Sequence, residues 1–290
     1  MDAQTKNKPI IAVFGDFMVD IDHHCVCERL CQEGPWPVLK VLRTEKRHGG
    51  AGNVGEMLKA LGCDVVQFGV GGQLTQKRRF FIDDKLIGPR IDDDAYLTAM
   101  ESEVIQWMSE LERIDPHAVI VADHGKGSVT KFLMECLAKQ GRPVFIDPVK
   151  TTPIVGDPAA IAGGVHELND ESYNADVRIV KLGAKGVRWS GQDRGELPSA
   201  IGNAVDPLGA GDQFIAVLAW MRCKGENWST SIAFANLAAG MQCLRRGCVP
   251  VTEDELNHEM ANRCPYLESC RPDPNAIAEP SPLHDAALAR

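Results

Sequence analysis

Short apolar runs alternate with helix-length amphipathic stretches along most of this 290-residue chain, and that alternation restricts the fold more than any other feature. Residues 10–14, 65–70, 119–122, 144–146 and 177–182 read as buried strands, each closed by Gly or Asp. Residues 38–42 read as a further strand, Pro-bounded and therefore suited to a sheet edge. Residues 79–83 and 86–87 suggest a hairpin around Asp84-Lys85, and 187–189 a strand following a tight Gly turn. Helical patterns cover residues 54–61, 92–113, 130–140, 214–221 and 231–244, with Gly62 and Gly141 as stop signals. On the 92–113 pattern the expected apolar face is Leu97, Met100, Val104, Ile105, Met108 and Leu111. Strands joined through helices imply right-handed crossovers and a mostly parallel sheet flanked by helices, an α/β fold. One folded unit over 1–270 is expected. The Pro- and Ala-rich stretch 271–290 has little apolar periodicity and reads as a disordered tail.

With 44% hydrophobic and 24% charged residues the chain can bury a sizeable core. A net charge of −9 without a long Lys/Arg run argues against nucleic acid or an anionic membrane as partner. No apolar run reaches membrane-spanning length and residues 1–9 are polar, so a cytoplasmic protein is expected. The ten cysteines include no C-x-x-C pair and read as free thiols, although Cys243, Cys248, Cys264 and Cys270 loosely cluster where a metal site is conceivable.

Chemistry concentrates in Asp206-Pro207-Leu208-Gly209-Ala210-Gly211-Asp212, a small-residue turn running into the apolar segment 214–221. Unpaired N–H groups of Gly209, Ala210 and Gly211 at a helix start suit a phosphate gaining charge in a transition state. A carboxylate beside such a site repels a phosphate unless it handles a proton, so Asp212 reads as a general base toward a hydroxyl. The alternative is a flexible loop whose Asp caps a helix. Asp16 and Asp20 follow the first strand at the edge where open α/β sheets bind ligands, and two carboxylates there suit a polyol, or else a solvated turn. Gly49-Gly50-Ala51-Gly52-Asn53 opens a second helix from a glycine cluster that a ligand can approach closely. His124, in the strand-end loop Asp123-His124-Gly125-Lys126-Gly127, reads as a loop or sugar-contact residue, since no other His lies at ligand spacing.

The Gly-Ala-Gly-Asp turn, combined with the early Gly-Gly helix start, resembles the PfkB (ribokinase-like) carbohydrate kinases over residues 10–255. Within that family the N-terminal third looks most like the heptose-7-phosphate kinase module of ADP-heptose synthesis. Its G-D-x-M-x-D is matched by Gly15-Asp16-Phe17-Met18-Val19-Asp20, and its G-G-A-A-N-V-A by Gly49-Gly50-Ala51-Gly52-Asn53-Val54-Gly55. Its R-I-S-P-E-A-P-V-P-V corresponds to residues 29–38, S-D-Y-G-K-G to 122–127, and V-D-P-K to 146–150 with one residue inserted. The resemblance implies a ribokinase-like fold with a small β lid around residues 17–47. It implies Asp212 as the base and Gly209, Ala210 and Gly211 as the anion hole. It places Asp16, Asp20, Gly49, Gly50, Asn53 and Lys126 on the sugar or sugar phosphate. Lys181, Gly183, Gly186 and Asp206 fall on the nucleotide, with ATP and Mg²⁺ as cofactors. It also implies a homodimer through the lid strands.

Three departures bear on activity. A βα unit present in relatives between the 70–72 and 77–78 segments is reduced here to Gln73–Gln76. The family's N-x-x-E spacing is absent around residues 164–171, leaving Glu167 or Glu171 as substitute metal ligands, and the helix that normally follows is missing. Leu208 stands where relatives carry Thr. The leading expectation is an ATP-dependent kinase acting on a sugar or sugar-phosphate hydroxyl, D-glycero-D-manno-heptose 7-phosphate being the first candidate. The alternative is a catalytically impaired relative that binds nucleotide or sugar in a regulatory role. Nucleotidyl transfer, the task of a domain fused to some relatives, is not expected.

Overall fold

In the computed structural model, residues 8–164, 168 and 174–262 are described. The main sheet has eight strands in the order β12-β11-β10-β9-β8-β7-β1-β4. In chain terms these are β1 (Ile10–Gly15), β4 (Asp64–Phe68), β7 (Ala118–Ala122), β8 (Val144–Asp147), β9 (Ala160–Gly164), β10 (Val177–Lys181), β11 (Val187–Gly191) and β12 (Gly195–Leu197). From β4 through β10 every pairing is parallel, and β11 and β12 add an antiparallel edge. The expected α/β sheet is therefore present, with β9 and β12 as strands that the apolar runs did not single out.

Both faces of this sheet are covered, which is why β1 reads as a continuous apolar run rather than an alternating one. Ile11 and Val13 join the core formed with α1 (Ala51–Ala60), α4 (Ala210–Cys223), α5 (Trp228–Cys243) and α6 (Glu253–Asn262). Ala12 and Phe14 face the other way, onto α2 (Glu101–Ile114) and α3 (Lys131–Ala138). Helix α4 lies in the middle of its layer, and Gln213 through Met221 are all buried. At the start of α3, Thr130 Oγ1 accepts the Leu133 N–H at 3.2 Å. Thr130→Ala is expected to cost about 1 kcal/mol of stability, measured by urea unfolding.

A second sheet of four strands, ordered β3-β2-β5-β6, forms the lid. It comprises β2 (Phe17–Leu30), β3 (Pro37–Gly50), β5 (Thr75–Ile82) and β6 (Lys85–Asp93). The lid is thus wider than the segment around 17–47, because the short 69–74 connection delivers β5 directly alongside β2 in parallel register. The segment carrying Val38 lies at an edge, as its prolines suggested. The hairpin turn falls on Asp83 and Asp84, at φ 47° and 58°, one residue earlier than expected. Asp tolerates this left-handed region better than most residues.

The helix expected over 92–113 begins only at Glu101. Asp92 and Asp93 instead pair with Lys77 and Gln76 across β5–β6. Beyond them the backbone is claimed by tertiary partners: Ala95 N–H donates to Thr75 Oγ1, Leu97 N–H to the Lys126 carbonyl and Ala99 N–H to the Gly127 carbonyl. Leu97 and Met100 therefore lie outside α2. Val104, Met108 and Leu111 face the core, while Ile105 stays exposed. The stretch 271–290 and the residues Glu167, Glu171, Cys264 and Cys270 lie outside the described residues. No described helix is long and apolar enough to cross a membrane.

Candidate active site

The turn before α4 is built from local constraints. Asp206 Oδ1 accepts the Leu208 N–H at 3.0 Å and Oδ2 accepts the Gly247 N–H at 2.9 Å. The Pro207 carbonyl takes the Ala210 N–H at 3.2 Å. Gly209 caps the helix at φ 80°, and a Cβ there would lie 2.8 Å from Cys248 Sγ. Glycine is required on both counts. Among the described residues no protein acceptor takes the N–H of Gly209, Gly211 or Asp212. Those donors lie at the positive end of α4, as an anion site requires. Ala210 contributes shape rather than a free donor.

Asp212 sits in the first turn of α4, half-buried, and its Oδ2 accepts from Asn53 Nδ2 at 2.7 Å. Burial raises the carboxyl above its ordinary range; His124, the Asn53 hydrogen bond and Lys181 oppose the rise, and Asp147 adds to it. A raised pKa makes the ionised group a stronger base. Asn53 thus holds the Asp212 carboxylate in place and also lines the cavity beside it.

Asp212 opens into a cavity of about 220 Å³ shared with Asp20, Lys77, Arg79, Arg90 and His124. On lid strand β5 the period-two geometry puts Lys77 and Arg79 on one face. Arg79 Nη1 reaches Asp20 Oδ1 at 2.8 Å and Asp22 Oδ1 at 3.6 Å, and Arg90 is fixed by two 2.7 Å bonds to Asp92. Lys77 has no described ion-pair partner. This cationic wall was not foreseen; the Lys77-Arg78-Arg79 run in a strand was its signal.

A second, more apolar cleft of about 460 Å³ lies on the other side of the turn, lined by Lys181, Gly183, Gly186, Ala239 and Gly240. Gly211 lines both spaces. Its missing side chain matters, because a Cβ would come 3.2 Å from Lys181 Nζ, which itself binds Asp147 Oδ1 at 2.7 Å. Gly186 lets the chain pass the Leu197 carbonyl, 2.0 Å from where a Cβ would stand. Apolar small-residue walls leading to free helix N–H groups fit a nucleotide, base outward and phosphates at Gly211.

The remaining expected residues fall nearby with different tasks. Asp16 is buried, and its carboxylate accepts the N–H groups of His124, Lys126 and Ser128 at 3.0, 2.9 and 2.9 Å. These three bonds shape the 124–128 loop. Lys126 Nζ binds Asp94 at 2.7 Å and lines a smaller adjoining space. Gly49 and Gly50 are buried at the end of β3. A Cβ on Gly49 would lie 2.7 Å from Asp20 Oδ2, and one on Gly50 2.3 Å from the Asp16 carbonyl. Asp206 braces the turn and is not among the residues lining the apolar cleft. Among the described residues no group of three or more Asp, Glu, His or Cys side chains could hold a metal. Asp147, paired with Lys181, has its Oδ2 3.6 Å from where a Gly211 Cβ would stand.

Residues 154–255 match the family described as pfkB family carbohydrate kinase. The chain is 29% identical over 302 residues to "Bifunctional protein HldE" of Campylobacter jejuni subsp. doylei, covering 87% of this chain and 65% of that protein. The like-named protein of Granulibacter bethesdensis is 26% identical, with 86% and 64% covered. The chain thus spans less than two thirds of the length of these curated relatives. Phosphofructokinase-2 from Escherichia coli, solved with potassium, superposes with a TM-score of 0.70 at 14% identity, over 88% of this chain and 99% of its own. Ribokinase from Thermotoga maritima gives 0.65 at 17% identity, over 88% and 100%. Over residues 154–255 the chain is similar to the pfkB family carbohydrate kinases, and its fold is ribokinase-like.

Proposed function

We propose that the protein transfers the γ-phosphoryl group of ATP to a hydroxyl of a sugar phosphate, with a heptose 7-phosphate as first candidate. The observation that carries this is Gly211: it separates an apolar nucleotide cleft from a cavity that holds both Asp212 and a cationic lid wall. Lys77, which has no described ion-pair partner, is the cation in this cavity available to a phosphate monoester, while Arg79 and Arg90 are already engaged by Asp20 and Asp92.

ATP bound with Mg²⁺ supplies the transferable phosphoryl group and the divalent charge that offsets its phosphates. Asp212 would take the proton from the substrate hydroxyl as the hydroxyl oxygen bonds to the γ-phosphorus and the bond from that phosphorus to the bridging oxygen breaks, releasing ADP. The N–H groups of Gly211 and Asp212 meet the charge growing on the phosphoryl oxygens, and Lys181 lies beside them. Catalysis then rests on positioning and preorganised charge. Exposed Leu42 on edge strand β3, and Leu86 and Ile91 on edge strand β6, support a homodimer formed through the lid.

The test is ADP release from Mg-ATP across a panel of sugars and sugar phosphates. Turnover confined to phosphorylated sugars, with Lys77→Ala raising KM for the sugar phosphate about tenfold and leaving that for ATP unchanged, is the expected outcome. Binding of ATP without turnover on any member would instead support the catalytically impaired reading, which Leu208 in the phosphate turn favours.

A further inference from the structure

Resting on the reading above, we propose that the loop after α5, residues 244–249, ties the lid to the phosphate-binding turn, with Arg246 as its positioning residue. The loop grips the lid at two points. Arg246 Nη1 donates to the Asp84 carbonyl at 2.7 Å, where Asp83 and Asp84 both adopt positive φ at the tip of the β5–β6 hairpin. Arg47, on β3, lies over Gly247, so closely that a Cβ there would come 3.2 Å from its guanidinium carbon. Arg47 is itself fixed to Asp22 on the neighbouring strand β2.

The same few residues hold the phosphate turn. Gly247 N–H donates to Asp206 Oδ2 at 2.9 Å, and the other oxygen of that carboxylate takes the Leu208 N–H at 3.0 Å. Gln242, fully buried, donates from Nε2 to the Gly247 carbonyl at 2.7 Å and to the Leu208 carbonyl at 3.3 Å. Cys248 packs against Gly209, the cap of α4. The loop's far side is anchored by Arg245, which bonds the Pro250 carbonyl and Glu255. A displacement of the hairpin tip is therefore passed through Arg246 and Gly247 to Asp206 and Leu208, one residue from the helix cap. The lid carries the cationic wall that meets the sugar phosphate, and the turn carries the N–H groups that meet the nucleotide. Two ligands biasing one connected element give reciprocal coupling between their affinities.

Arg246 is well exposed and outside both binding spaces, so its replacement leaves the fold and the direct contacts in place. Binding of a nonhydrolysable ATP analogue is measured by calorimetry with and without saturating heptose 7-phosphate. Wild-type protein is expected to bind the analogue about tenfold tighter when the sugar phosphate is present. Arg246→Ala is expected to cut that enhancement below about twofold while each ligand alone binds as before, and Arg246→Lys, which keeps a donor, to restore part of it. A structural role would move the single-ligand affinities and leave their ratio alone. Amide hydrogen exchange of the unliganded protein gives an independent reading: Arg246→Ala should speed exchange at Gly247 and Leu208 as well as at the lid tip. Unchanged exchange at Gly247 and Leu208, or an undiminished enhancement in Arg246→Ala, overturns the inference. Wild-type protein that binds neither heptose 7-phosphate nor any other sugar phosphate overturns the proposed function, and the exchange result still decides whether the loop joins the two elements.

Discussion

Asp212→Asn is expected to lower kcat about a thousandfold and at the same time to make the folded protein more stable at neutral pH. The first effect follows from removing the proton acceptor, for which losses of roughly a hundred- to ten-thousandfold are usual. Asn preserves the shape and can still accept from Asn53 Nδ2, so KM for both substrates should change little. The second effect follows from the direction of the pKa shift. Burial raises the Asp212 carboxyl above its unfolded value, so the folded protein holds the proton more tightly than the unfolded chain. Stability contributed by this group is present at low pH, where it is protonated in both states, and is lost as pH rises through the folded pKa. An uncharged Asn escapes that loss. Thermal unfolding of wild type and variant from pH 4 to pH 8 checks it: the melting-temperature gain should grow with pH and vanish at the acid end. A variant that is inactive but no more stable at pH 8 would mean that His124, Asn53 and Lys181 fully compensate the buried charge.

Arg79→Met is expected to cost about 3–5 kcal/mol, the usual penalty for removing one partner of a buried ion pair. Arg79 and Asp20 are almost enclosed, with side-chain exposures of 10% and 9%, and lie 2.8 Å apart. Methionine keeps most of the apolar stem but removes the described ion-pair partner of Asp20, while Asp22 retains Arg47. The double variant Asp20→Asn/Arg79→Met should recover a good part of the loss, because the orphaned charge is gone. Urea unfolding of the four proteins of this cycle gives the coupling between the pair. A cost below about 1 kcal/mol would show the pair behaving as a solvated surface bridge.

Much of the architecture was legible in the residues. Apolar runs at 10–14, 119–122 and 144–146 could only be strands buried on both faces, because each is too short for a helix and lacks an alternating polar face. The small residues of Gly209-Ala210-Gly211 ahead of an unbroken apolar segment likewise announced a helix start with accessible N–H groups. Such features depend on local backbone chemistry and on the period of hydrophobicity, both of which are written in sequence.

The site was only half legible. Gly211 and Asp212 lie in the first turn of α4, Lys181 at the end of β10 and Gly186 just before β11, the element positions that the local patterns predicted. Asp16 and Asp206 accept backbone N–H groups, contacts that no sequence pattern announces because a free carboxylate and a loop-bracing one are identical in sequence. Residues 94–100 carried a helical pattern that Thr75, Lys126 and Gly127 overrode by claiming its backbone hydrogen bonds. Lys77, Arg79 and Arg90 reach the cavity of Asp212 because β5 pairs in parallel with β2 and brings β6 with it, while His124 arrives from the end of β7 in the main sheet. Sequence by itself determined the elements and the phosphate turn, through local propensity and periodicity. Tertiary structure alone decided which charges share the cavity, because register and long-range pairing set distances that no local pattern encodes.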